Sequence, residues 1–145
     1  MDEQKKDDLS YVCSLIEFIV RKTNSDHRTV IGYFGKEDIE RQLRLASVNH
    51  SLSFEQVSDE IINEYNIPVV ENKKTYKYQI PSVQSIGRVY QMLICAVCLD
   101  GDIVGTLINV FNSFICDEIS DYNSNIYYSN PDYLRCSYLE GKMLA

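Results

Sequence analysis

The sequence predicts a mainly α protein, a bundle-like single domain over residues 1–145 with one β-hairpin set between two helical halves. Three observations predict it. Apolar residues recur at helical spacing along most of the chain. Between Pro68 and Pro81 the pattern switches to alternation. Finally, 145 residues with 45% hydrophobic and 24% charged side chains suit one ordinary globular core. The halves are residues 1–66 and 82–145, and the hairpin occupies 67–81.

The first helix is predicted from Leu9 to Lys22, with Leu9, Val12, Cys13, Ile16, Ile19 and Val20 on one face. Glu17 and Arg21, four apart, are placed to pair on the other. Asn24-Ser25-Asp26 ends this helix and caps a short one from His27 to Phe34, which stops at Gly35. A third helix follows over Glu37–Ala46, acidic at its start and carrying Arg41 and Arg44 toward its end. Ser53-Phe54-Glu55-Gln56 has the form of a capping box and opens a helix to about Tyr65. Pro68 stops it, and Val69-Val70, Glu71 to Lys74 and Thr75 to Ile80 read as strand, turn and strand.

Ser82 starts the next helix, through about Leu99. Asp100-Gly101-Asp102 breaks it, and Asp102 caps the longest predicted helix, Ile103 to about Asn123. The apolar face of that helix is wide enough to imply packing on two sides or on a partner. Asn130-Pro131 opens a last helix, which ends near Gly141.

The net charge is −7, and it is unevenly spread. Residues 1–66 hold 8 Lys/Arg against 13 Asp/Glu, residues 67–81 hold 3 against 1, and residues 82–145 hold 3 against 7. An acidic surface repels phosphate backbones, which disfavours nucleic acid as a partner. The polar start MDEQKKDD lacks the apolar core of a secretory signal. The most apolar stretch, Val89 to Leu99, falls short of the roughly 20 residues a membrane span needs. Five cysteines, an odd number with apolar neighbours, read as reduced and mostly buried thiols. The expected location is a reducing cytoplasm, with no membrane association.

No motif specifies a reaction. Cys95 and Cys98 form a CxxC pair, but there is no second pair to complete a metal site, so neither a metal nor a cofactor is expected. His27 and His50 have polar neighbours and read as surface residues, although a Cys/His pair assembled by the fold stays open. Asp100 and Asp102 read as turn and cap, and Asp117, Glu118 and Asp121 as a solvated helix face. No catalytic residue and no small-molecule ligand is assigned.

Two binding arrangements remain. Short helices followed by a lysine-bearing hairpin follow the order of a winged helix-turn-helix, in which Arg41, Arg44, Lys73, Lys74 and Lys77 face DNA. Against it, the helix after Ser53 carries Glu55, Asp59, Glu60 and Glu64. The second arrangement uses the tyrosines near the C-terminus. Tyr122, Tyr127, Tyr128 and Tyr133 are the candidate residues for binding a protein partner or a second copy, since tyrosine brings rigid amphipathic area to interfaces.

Cys13-Ser14-Leu15-Ile16-Glu17, Lys22-Thr23, Val30, Phe34, Leu43 and the acidic helix ending Tyr65-Asn66-Ile67 give residues 9–67 a resemblance. The segment resembles short uncharacterised helical proteins of Firmicutes, a domain-of-unknown-function family often encoded beside toxin-like partners. The hairpin and C-terminal helices depart from that short pattern. The resemblance implies a small intracellular, non-enzymatic accessory protein of antitoxin-like character, and it supplies no catalytic residues. The expected function is therefore a non-enzymatic protein-binding or regulatory module, with a winged-helix DNA-binding regulator as the alternative.

Overall fold

A computed structural model describes residues 1–71, 76 and 79–145. All regular structure among them is helical: seven α-helices and one short 3-10 turn over Ile126–Tyr128. The first, α1, spans Glu3–Thr23, with the Asp2 carboxylate accepting the Lys5 N–H at its start. It begins six residues earlier than its apolar stripe, because helix-tolerant polar residues extend it into solvent. From Leu9 to Val20 it is buried on nearly every side, by α2 (His27–Asn49), α3 (Phe54–Tyr65) and α4 (Val83–Val97). Thus α1 is the axis of the core, and α2, α3 and α4 pack around it.

The two short helices expected over 27–46 are one kinked helix, α2. Gly35 marks the kink with φ 65° and ψ 174°, a conformation open essentially to glycine alone. The chain resumes helical geometry directly after it, so the stop is a bend. Helix α3 starts as the sequence predicts, with the Ser53 hydroxyl accepting the Gln56 N–H at 3.1 Å. Lys22 of α1 reaches Glu55 and Asp59 on α3 and ties the two together.

The hairpin expected over 67–81 requires correction. No strand occurs among the described residues. Residues 72–75, 77 and 78, which hold most of the expected turn and second strand together with Lys73, Lys74 and Lys77, lie outside the described set. In the described part, the Val70 N–H donates to the Thr23 carbonyl at the end of α1 at 3.0 Å. Its backbone therefore satisfies a helix terminus instead of a partner strand. Tyr76 packs on Tyr122 with ring centroids 5.7 Å apart. Alternating apolar residues serve a strap laid over helices as well as they serve a sheet.

The long helix expected over 103–123 also divides. Helix α5 (Ile103–Phe111) and helix α6 (Phe114–Ser120) meet at Asn112-Ser113 with a bend of 65°. The bend turns Phe111 and Ile115 into the core together, both with no exposed surface. Of the wide apolar face, Leu107, Val110, Phe111, Ile115 and Ile119 are buried, while Ile103, Val104, Ile108 and Phe114 stay half-buried. Among the described residues, no single helix is long and apolar enough to cross a membrane. Helix α7 (Pro131–Glu140) opens at Asn130, whose side chain accepts the Asp132 N–H, and ends at Gly141 with φ 84°.

Candidate functional site

The fold gathers a polar cluster that the sequence does not advertise. Glu17 sits in the middle of α1 and is only 1% exposed. Its Oε1 lies 2.7 Å from Nε2 of His27, the first residue of α2. Its Oε2 accepts from Arg21 Nε at 2.7 Å and from the Tyr122 hydroxyl. His27 Nδ1 lies 3.3 Å from the Ser120 hydroxyl at the end of α6, beside the Cys116 side chain. The Cys116 sulfur in turn accepts from the Tyr90 hydroxyl of α4 at 3.2 Å. Phe111 stacks under the His27 ring at 5.7 Å.

Electrostatics decides the charge state of this cluster. Burial pushes the Glu17 carboxyl up, but hydrogen bonds and charge from His27, the Tyr122 hydroxyl and Arg21 outweigh it and bring it to about 2. Burial likewise disfavours the His27 cation, yet the Cys116 and Glu17 groups beside it prevail and raise the imidazole to about 10. Glu17 is therefore a carboxylate and His27 an imidazolium across neutral pH. Burial and the Glu17 charge push the Tyr122 phenol upward, so it stays a donor. A buried carboxylate with three donors is satisfied, which is the condition for tolerating it in a core.

Above the cluster opens a cleft of about 960 Å³, bounded by the end of α1, the α1–α2 connection, α6 and the strap residues Val69, Val70, Tyr76 and Ile80. Glu17, Arg21, His27, Cys116 and Tyr122 line it. Arg28 bonds Asp117 at 3.2 Å on one rim. Val69 and Val70 stand 55% and 49% exposed on the other. From the wall of this cleft a chain of rings runs outward. Tyr76 to Tyr122, Tyr122 to Tyr127 and Tyr127 to Tyr128 have centroid separations of 5.7, 6.0 and 5.1 Å.

The sequence-predicted residues distribute as follows. Tyr122 is buried in the cluster, Tyr127 is half-buried, and Tyr128 is 80% exposed. Tyr133 points away from this group and donates to the Leu144 carbonyl at 2.6 Å. Of the residues considered for DNA, Arg41 pairs with Asp38 and Glu64, and Arg44 with Glu40, so carboxylates already face both cations. Lys73, Lys74 and Lys77 lie outside the described residues. Among the described residues, no group of three His, Cys, Asp or Glu side chains converges for a metal ion.

Three readings change. His27 is a buried core residue, not a surface one, whereas His50 is exposed and packs on Tyr11 at 4.9 Å. Glu17 and Arg21 pair as their spacing predicts, but inside the protein. Cys95 and Cys98 are half-buried near the end of α4, while Cys13 and Cys116 are buried. One signal for Glu17 was present in the sequence. Leu9, Cys13 and Glu17 follow one another at four-residue steps, which puts the carboxylate on the apolar stripe itself.

No protein-family model, curated protein or solved structure matches the chain.

Proposed function

We propose that this chain is a non-enzymatic binding module, a regulatory accessory protein of antitoxin-like character in the cytoplasm, and that it holds a protein partner in the cleft beside α6. The observation that carries the reading is the cleft itself, whose polar floor is held rigid by the Glu17 network and whose rim carries exposed Val69 and Val70. A preorganised pocket loses little entropy on binding, and exposed apolar side chains beside it supply the area that an anchor needs. The ring chain ending at Tyr128 extends the contact from cleft to surface. With a net charge of −7, the chain attracts a partner with a basic face, and the exposed carboxylates Asp117 and Asp121 set its orientation.

The test is co-purification of the tagged full chain from native cells, followed by direct titration of the recovered partner. Val69→Asp is expected to abolish binding, and Tyr128→Ala to weaken it, with far-UV circular dichroism unchanged in both. Recovery of the same partner at the same affinity by both variants overturns the placement. A chain that sediments as a monomer and recovers no partner overturns the function.

A further inference from the structure

Two sulfurs meet where α1 packs on α4. The Sδ of Met1, which precedes α1, lies 3.6 Å from the Sγ of Cys95 in the last turn of α4. Cys95 is half-buried, and Met1 is 50% exposed. One turn earlier, the Gln91 amide donates to the same cysteine sulfur at 3.3 Å. Cys95 belongs to the CxxC pair, yet the two thiols face different groups. The Cys98 thiol turns to the Asp100 carboxylate at 3.9 Å. Cys13 has no exposed surface, and Cys116 faces the Tyr90 hydroxyl at 3.2 Å.

We propose that Cys95 and Met1 together bind a soft monovalent metal ion, Cu(I). A thiolate and a thioether on one ion select Cu(I) over harder cations. Zinc takes about four ligands, and among the described residues no three His, Cys, Asp or Glu side chains converge to supply them. Metal–sulfur bonds of about 2.3 Å put two sulfurs on one ion at most about 4.6 Å apart. The pair therefore opens by no more than about 1 Å, which an unbranched, exposed methionine accommodates by rotating its side chain. The ion displaces the thiol proton to solvent, and its single charge is balanced by the thiolate. The C-terminal end of α4 disfavours a bare thiolate and favours a cation, so the helix dipole supports the loaded site. The Gln91 amide remains a donor to the thiolate and orients it. Neither Cys95 nor Met1 lines the cleft, so the site stands or falls independently of the binding reading.

The test titrates the reduced full-length chain with Cu(I) under nitrogen, in competition with a chromophoric Cu(I) chelator. The same titration is followed by NMR of isotope-labelled methionine methyl groups. One copper per chain should be withdrawn from the chelator. The Met1 methyl should shift on the first equivalent, while those of Met92 and Met143 stay in place. Cys95→Ser should weaken binding about a hundredfold, because the thiolate is the anionic ligand, and Cys98→Ser should leave it within about twofold. Far-UV circular dichroism checks the fold of both variants, and if Cys95→Ser unfolds, the Met1 shift in the wild type decides alone. A chain that takes no copper from the chelator overturns the proposal. So does copper that binds without moving the Met1 methyl, or a folded Cys95→Ser that competes as well as the wild type. Equal losses in Cys95→Ser and Cys98→Ser assign the ion to the CxxC pair and overturn it too.

Discussion

Glu17 and His27 exchange water for one another, and this exchange makes stability depend on pH in both directions. The Glu17 carboxyl is held at about 2 against an ordinary 4.5, so its contribution is complete above 4.5 and is lost as the pH falls toward 2. The His27 imidazolium is held at about 10 against 6.5, so its contribution is complete below 6.5 and is lost as the pH rises toward 10. Both act in full only between 4.5 and 6.5. Urea midpoints should therefore be highest in that window and fall on either side of it. His27→Gln should flatten the alkaline limb, and Glu17→Gln the acid one. Midpoints independent of pH would show that the pair is not ionised as described. Glu17→Ala, which strands an imidazolium and a guanidinium, should cost about 3–5 kcal/mol, as removing one member of a buried ion pair does. Tyr122→Phe removes one donor from the same carboxylate and should cost about 1–3 kcal/mol. The four-residue spacing of Glu17 and Arg21 made their pairing legible in the sequence. The burial of Glu17 was legible only as its place on the apolar stripe, since the His27, Ser120 and Tyr122 groups around it are brought alongside only by the folded chain.

Among the elements, two glycines set geometry that no other residue allows. At Gly35 the kink of α2 needs φ 65° with ψ 174°, and Gly35→Ala should destabilise by about 1–3 kcal/mol. At Gly87, on α4, a methyl group would sit 2.0 Å from the Ser14 hydroxyl, 2.8 Å from its backbone nitrogen and 2.9 Å from the Ser10 carbonyl. Ser14 can change rotamer, but the backbone atoms cannot retreat without parting α1 from α4. Alanine gains about 1 kcal/mol in helix propensity over glycine. Overpacking costs about 1–3 kcal/mol, so the net effect of Gly87→Ala should be a loss, read as a lowered thermal midpoint. A raised midpoint would mean that the two helices are not in backbone contact there. Caps were the most legible features at this scale: Asp26, Ser53, Ser82, Asp102 and Asn130 each accept the N–H that their position predicts. The bend between α5 and α6 escaped because Asn112-Ser113 carries neither glycine nor proline and the helical spacing of apolar residues resumes directly after it. Its cause is tertiary, the need to bury Phe111 and Ile115 together. The packing of the described residues Val69, Val70, Tyr76 and Ile80 along the helices escaped because period-two alternation reports a half-buried extended chain without saying what covers it.

For the molecule as a whole, the bend buries Phe111 and Ile115 within the chain and leaves Ile103, Val104, Ile108 and Phe114 half-buried. The proposed association uses the cleft rim and Tyr128. With its ring 80% exposed, Tyr128→Ala should change stability by no more than about 0.5 kcal/mol, so any effect on partner binding is separable from folding. A larger loss in urea would place that ring in the core. The central position of α1 has a further consequence, in time. Its most extensive neighbour, α4, is complete only at Val97, so roughly 70 residues must be added after Thr23 before that surface can close, several seconds at ribosomal speed. Throughout that interval the nascent chain carries α1 without its most extensive partner, with a carboxylate, Glu17, in its middle. Until His27 and Tyr122 dock, that carboxylate keeps its water, and the newborn helix stays soluble while it waits for the rest of its fold.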